Sequence, residues 1–139
     1  MWFQQEIKLA ARARGFHLIT DEVLVQLTEL SRINIGIMNV LIKHTSASLT
    51  INENADYSVR DDFEKYFSRL APENESYYTH LDEGSDDMPA HLKSSLLGSS
   101  LNIPITNGNL NLGIWQGIYL CEHRNFGGQR TLVITMNGE

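Results

Sequence analysis

The sequence predicts an α+β fold: a mainly antiparallel β-sheet or sandwich, with two main helices and one short helix packed on it. Three observations predict it. Strand patterning occupies the N-terminal segment and the whole C-terminal third. Helical periodicity is confined to the middle of the chain. The strands mostly follow one another instead of alternating with helices, which favours antiparallel pairing. At 139 residues, the chain has the size of one domain and is read as a single unit over 1–139.

Residues 2–9 alternate, placing Phe3, Ile7 and Leu9 on one face of a strand, and Gly15 predicts a turn. Thr20 is placed to cap a helix whose first turn carries Asp21 and Glu22 at the positive end of its dipole. Val23, Leu27 and Leu30 would then share one helical face. Residues 33–43 are apolar on both faces and predict a central, buried strand, followed by a second strand from Ser48 to Ile51. A helix is expected from about Ala55 to Leu70, with Val59, Phe63, Phe67 and Leu70 at helical spacing and Pro72 beyond its end. After an acidic, irregular stretch over 73–87, Asp87 as N-cap, Pro89 in the first turn and Gly98 as stop define a short helix. Strands 100–106 and 110–123 are joined by Asn107-Gly108-Asn109, a hairpin signal, and strand 130–136 follows a loop containing Gly127-Gly128.

Composition narrows the function classes. The chain is 42% hydrophobic and 20% charged, as globular proteins are, and carries a net charge of −6. Its Lys and Arg residues are scattered, which argues against nucleic acid as a partner, because phosphate-backbone binding needs a basic surface. A few local cations suffice for an anionic small molecule in a pocket. Cys121 is the sole cysteine, so no intrachain disulfide forms and a reducing compartment fits. The N-terminus lacks a signal-peptide pattern, and no apolar run approaches the roughly 20 residues that span a bilayer. A cytoplasmic protein without membrane association is expected.

Three segments concentrate polar chemistry. The first, residues 44–56, groups His44, Thr45, Ser46 and Ser48 where a buried strand emerges, with Asn52, Glu53, Asn54 and Asp56 one strand later. So polar a loop between apolar strands needs hydrogen-bond partners. Read by itself, it is a turn plus a helix cap by Asn54 or Asp56. The second, residues 80–98, holds His80, Asp82, Asp86, Asp87 and His91. Imidazole suits zinc, and carboxylate suits magnesium. His91, Ser94 and Ser95 share one helical face, with Leu92 and Leu96 as the adjacent buried face and Lys93 about 200° from His91. The spacing matches no strong metal motif, and the plain alternative is a solvated acidic loop. The third, residues 115–124, alternates Trp115, Gly117, Tyr119, Cys121 and His123 against Gln116, Ile118, Leu120 and Glu122. Gln116 and Glu122 would be costly to bury without partners, which a subunit interface or a pocket would supply. Nothing in the sequence activates Cys121 as a nucleophile.

Together these segments resemble the YjbQ-like family. The most specific stretch is SLNIPITNGNLNLGIWQGIYLCEHR at 100–124, with HTSASLTINENAD at 44–56 and HLKSSLLG at 91–98. The resemblance runs over essentially the whole chain. It implies an α+β fold, a compact homotrimer, a cytoplasmic location and a weak thiamine-phosphate synthase activity, which joins a pyrimidine diphosphate to a thiazole phosphate. The positions that match are His44, Thr45, Ser46, Asn52, Glu53, Asp56, His91, Lys93, Ser95, Trp115, Gln116 and Glu122. Many relatives lack a histidine at His123, and the 80–87 loop varies among them.

The expectations divide as follows. Catalytic candidates are His44, Ser46, Glu53, His91 and Lys93; substrate-binding candidates are Thr45, Asn52, Asp56, Ser95, Trp115, Gln116 and Glu122. A divalent metal, magnesium or zinc, is expected on His44 and His91, which should converge in space, with Glu53 or Asp56 as partner or further ligand. The expected function is a small-molecule enzyme acting on a phosphorylated heterocycle. The alternatives are a zinc-type metal-binding protein or hydrolase using His44 and His91, and a non-catalytic trimeric binding protein.

Overall fold

The computed structural model describes residues 1–139. It is an α+β fold of eight strands in two antiparallel sheets, with three α-helices and one 3₁₀ turn. The larger sheet has the order β1-β8-β3-β5-β6, built from β1 (Trp2–Lys8), β8 (Thr131–Gly138), β3 (Ile35–Ile42), β5 (Ser100–Thr106) and β6 (Asn109–Leu110). The smaller has the order β2-β7-β4, from β2 (Gly15–Leu18), β7 (Gln116–Glu122) and β4 (Ala47–Glu53). Helices α2 (Tyr57–Leu70) and α3 (Asp87–Leu97) pack on β2 and β4, so the smaller sheet lies between the larger sheet and the helices.

This layering explains the burial of β7. Ile118 and Leu120 join the main core, a cluster of 19 buried residues drawn from both sheets, while Tyr119 and Cys121 join Phe16 in a second cluster under Phe63, Phe67 and Leu97. No residue of α2 is fully buried, and Leu70 is exposed. Its docking rests on half-buried Phe63 and Phe67, with ring centroids 5.3 and 5.7 Å from that of Phe16. Such pairs add roughly 0.5–1.5 kcal/mol each beyond burial.

Six expectations are corrected. The turn at Gly15 is the start of β2, with φ of +148°. The helix from Thr20 is only α1 (Thr20–Leu24); Leu27 is buried beyond it, and Leu30 is buried in the 3₁₀ turn Leu30–Arg32. Thr20 does not cap it, because its hydroxyl accepts the Ile118 N–H at 2.9 Å. Strand β3 is central but buried on one face only, since Ile35, Ile37 and Leu41 are exposed. Strand 110–123 is two strands in different sheets. The hairpin forms with Asn107 and Gly108 at positive φ, pairs only Ile105 with Leu110 and Thr106 with Asn109, and then crosses over through residues 111–115. In α3, Asp87 is the first helical residue instead of the cap, and the buried face is Pro89, Ala90, Lys93 and Ser94, with Leu96 exposed. No helix is long and apolar enough to cross a membrane.

Candidate metal centre and groove

Asp87, at the start of α3, places its carboxylate beside His91 one turn later, the i,i+4 relation on a helix. His80 reaches the same oxygen from the preceding loop. His80 Nε2 lies 2.7 Å and His91 Nε2 3.2 Å from Asp87 Oδ2. Their ligand-type atoms all fall within 4.8 Å of one another. The other oxygen, Oδ1, accepts from Arg124 Nη1 at 2.7 Å, and Arg124 Nε donates to Asp86 at 2.9 Å. Burial alone would raise the Asp86 carboxyl, but the Asn125 N–H and the Arg124 guanidinium hold it below the usual range.

The tautomer of His91 follows from geometry. Its Nδ1 lies 2.9 Å from the Thr45 carbonyl oxygen, which can only accept, so Nδ1 carries a proton. In the neutral ring, Nε2 then presents a lone pair to the Asp87 carboxylate. Two electron-rich atoms face each other at 3.2 Å, an arrangement that calls for a proton or a cation between them. A histidine oriented by a carbonyl through its second nitrogen is how metal-ligating imidazoles are held. Two imidazoles and one carboxylate leave coordination positions open, as catalytic zinc sites do.

The groove beside this cluster is about 430 Å³ and is lined by His44, Thr45, His91, Ser94, Ser95 and Ser99, among others. His44 and His91 therefore share a groove, as expected from the sequence. His44 stands outside the cluster, its Nε2 accepting the Thr131 N–H at 2.8 Å. Burial, with the Arg130 charge, lowers its pKa. Ser94 donates to the Ala47 carbonyl at 2.8 Å, whereas Ser95 is exposed.

Lys93 does not reach the groove. It is 2% exposed on the inner face of α3 and enters no ion pair or side-chain hydrogen bond. Burial lowers its pKa, against the influence of Glu64. Glu122 and Ser46 are held in a buried network. Arg130 donates to Glu122 Oε1 at 2.7 Å and Oε2 at 2.6 Å, and to Ser46 Oγ at 3.1 Å. Gly127 lies so close to the Glu122 carboxylate that a Cβ there would collide with it. Glu122 thus has its partner within the chain, and Gln116 is exposed, so neither requires a subunit interface.

Glu53 and Asp56 are not partners of His91. Glu53 accepts the Asp56 N–H at 2.9 Å, and Asp56 caps α2 by accepting the Ser58 N–H at 2.9 Å. This is the plain turn-and-cap arrangement. Asn54 ties the turn to the 113–116 loop through the carbonyls of Ile114 and Gln116. Asn52, Glu53, Asp56, Trp115 and Gln116 thus form a second patch at the far end of β4. Six residue steps from Ala47 to Glu53 put it roughly 20 Å from the Thr45–His91 contact.

His123 is 1% exposed. Its Nε2 lies 2.8 Å from Ser48 Oγ, and its Nδ1 has no partner. Burial, then the Lys93 charge, pushes its pKa down to about 3. Cys121 is likewise sealed, burial pushing its thiol up to about 12, so it is no nucleophile. A depressed His123 pKa has a signed consequence. Between the unfolded value of about 6.5 and the folded one, the unfolded chain binds the extra proton, so stability is full above that window and falls with pH through it. Urea unfolding of His123→Gln is expected to show a shallower loss of stability between pH 6 and pH 4 than the parent chain; equal slopes would assign the acid sensitivity elsewhere.

The sequence placed His80, Asp87 and His91 in one segment but paired His91 with His44 as metal ligand and with Ser94 and Ser95 on the helix face. The same arithmetic run backwards puts Asp87 at i−4, on the His91 face. Arg124 carried no local signal.

A two-sheet α+β fold with a His-Asp-His cluster beside a hydroxyl-lined groove defines a class of small proteins with a candidate metal centre. The comparisons are specific: a family model described as "UPF0047 protein YjbQ-like" matches residues 5–139, and the chain belongs to that family. It is 52% identical over 139 residues to the UPF0047 protein YjbQ of Escherichia coli O157:H7, covering all of both chains. It is 40% identical to a UPF0047 protein of Synechocystis, over 98% of this chain and 92% of that one. Among solved structures, a YjbQ/UPF0047 protein from Clostridium acetobutylicum aligns with a TM-score of 0.81 at 36% identity, covering 94% of this chain and 97% of that one.

Proposed function

We propose that the protein is a small-molecule enzyme whose divalent metal is held by His80, Asp87 and His91, and whose reaction is of the thiamine-phosphate synthase type. The observation that carries the metal is the convergence of ligand atoms from His80, Asp87 and His91 within 4.8 Å of one another, with His91 Nδ1 held at the Thr45 carbonyl. In the synthase reaction, the carbon–oxygen bond between the pyrimidine-bearing methylene and diphosphate breaks, and the thiazole ring nitrogen forms the new bond to that carbon. A metal there would neutralise the charge developing on the leaving group. Thr45, Ser95 and Ser99 would offer hydroxyls to the substrate, and His44 its Nδ1–H. Arg124 positions Asp87, while Ser46 and Glu122 hold Arg130, whose charge acts on His44. A hydrolase with zinc-bound water is the second reading, favoured by the two imidazoles in the donor set.

Metal analysis and a synthase assay separate the readings. Turnover of the pyrimidine diphosphate and thiazole phosphate on added magnesium supports the synthase. Zinc retained at one per chain, with no synthase turnover, supports the hydrolase. Absence of both metal binding and turnover would sink the proposal.

We also propose a cytoplasmic homotrimer. The motive for assembly is the outer face of β3, where Ile35 is 66% and Ile37 47% exposed, together with exposed Trp115. Asn52, Glu53, Asp56, Trp115 and Gln116 enter the proposal through contacts at that second patch. Light scattering is expected to give three times the 15.8 kDa chain mass; a monomer mass would remove the assembly.

A further inference from the structure

A second groove, at the opposite edge of the smaller sheet, is unused by the proposed chemistry. It lies between edge strand β2 and helix α2, is about 430 Å³, and is lined by Arg12, Arg14, His17, Tyr57, Arg60 and Glu64, among others. Its volume falls in the range of small-molecule sites. The arginines differ in how they are satisfied. Arg12 pairs with Glu22 at 3.0 Å, and Arg14 with Glu64 at 3.2 Å and Glu73 at 3.4 Å. Arg60 pairs with no carboxylate. Its sole hydrogen bond is a long one, 3.4 Å from Nε to the Tyr119 hydroxyl, and its guanidinium stands 5.7 Å from the Tyr57 ring centre. The paired N–H groups at the outer end of Arg60 are therefore free to donate in the fixed fork that matches phosphate oxygens.

The strand supplies a second, independent set of donors. Ile19 N–H donates to the Ile118 carbonyl at 2.8 Å, on the β7 side. Alternation along an antiparallel strand then turns the N–H groups of Phe16 and Leu18 to the free edge of β2. Both residues line the groove, and neither N–H has an acceptor among the loop or side-chain hydrogen bonds. Arg12 and Arg14 are already paired with Glu22, Glu64 and Glu73, and Asp61 also lines the groove, so Arg60 is the guanidinium left without a carboxylate.

We infer that this groove binds the phosphate group of a small phosphorylated molecule, through Arg60 and the free edge of β2, at a site separate from the His80–Asp87–His91 cluster. Tyr57, 66% exposed, offers a face for a ring attached to that phosphate. An added peptide strand fits less well, because β2 has only four residues to pair and the groove wall carries charged side chains.

The test uses inorganic phosphate as probe, followed by calorimetry and by backbone amide shifts, on the full chain after dialysis against a chelator. Phosphate is expected to move the Phe16 and Leu18 amides. Arg60→Gln is expected to weaken its binding about tenfold or more, with Arg60→Lys recovering part of it. His91→Ala is expected to bind phosphate as the parent does, which keeps this result independent of the metal centre. Equal binding by Arg60→Gln, loss of binding in His91→Ala, or no response at millimolar phosphate would each overturn the inference. So would shifts of the β2 amides with an extended peptide but not with phosphate.

Discussion

Replacing His91 by Ala is expected to lower divalent-metal affinity by at least about a hundredfold and to remove activity with it, while leaving the melting temperature within a few degrees. Loss of a partner that merely orients a ligand already costs roughly 10–100-fold. His91 is one of only three donors, so its loss should cost more. The stability forecast follows from exposure. The His91 side chain is 30% exposed and contributes two polar contacts, to Thr45 and Asp87, with no place in the apolar core. Surface substitutions of that kind are usually worth under about 1 kcal/mol. Arg124→Gln should give the milder version, a tenfold to hundredfold loss of metal affinity, because Asp87 keeps its place but loses the donor on Oδ1. Titration of zinc and magnesium into each variant, with circular dichroism alongside, reads both quantities. A His91→Ala chain that unfolds, or that binds metal like the parent, would make the residue structural and dissolve the proposed centre.

Glu122→Gln is expected to be the most destabilising single change, at about 3–5 kcal/mol. Glu122 is 0% and Arg130 4% exposed, and the guanidinium grips both carboxylate oxygens. Neutralising one partner strands the other charge in a medium that cannot solvate it. A domain holds only roughly 5–15 kcal/mol in all, so the loss would be a large part of it. Taking out both charges together, as Glu122→Leu with Arg130→Met, should restore most of the stability, since a buried pair is often no better than apolar residues of similar volume. Chemical denaturation of the parent, both single variants and the double variant closes the cycle. A single variant within 1 kcal/mol of the parent would show that water reaches the pair.

The same pair shows where sequence reasoning stops. That Glu122 needed a partner was readable, because alternation put its carboxylate on the strand face shared with Ile118 and Leu120. That the partner is Arg130, eight residues on and across a glycine loop, was not, because β7 and β8 belong to different sheets. The need was therefore assigned to a subunit interface or a pocket. In the same way, Glu53 and Asp56 looked near to His44 in sequence, but an extended strand carries them roughly 20 Å away, where they cap a helix.

By itself the sequence determined what local patterning determines: the α+β class, helices α2 and α3, and the Asn107-Gly108 turn. Each depends on short-range periodicity or on a turn with strict φ requirements, and both are written residue by residue. Tertiary structure alone decided the pairing of four-residue β2, the shortening of α1, and the burial of Lys93 in place of Leu96 on the inner face of α3. It also decided that Asp87 faces His80, His91 and Arg124 instead of capping its helix. These outcomes turn on which long-range partner satisfies a polar group or covers an apolar one. Periodicity states that demand, and only the packed chain supplies its answer.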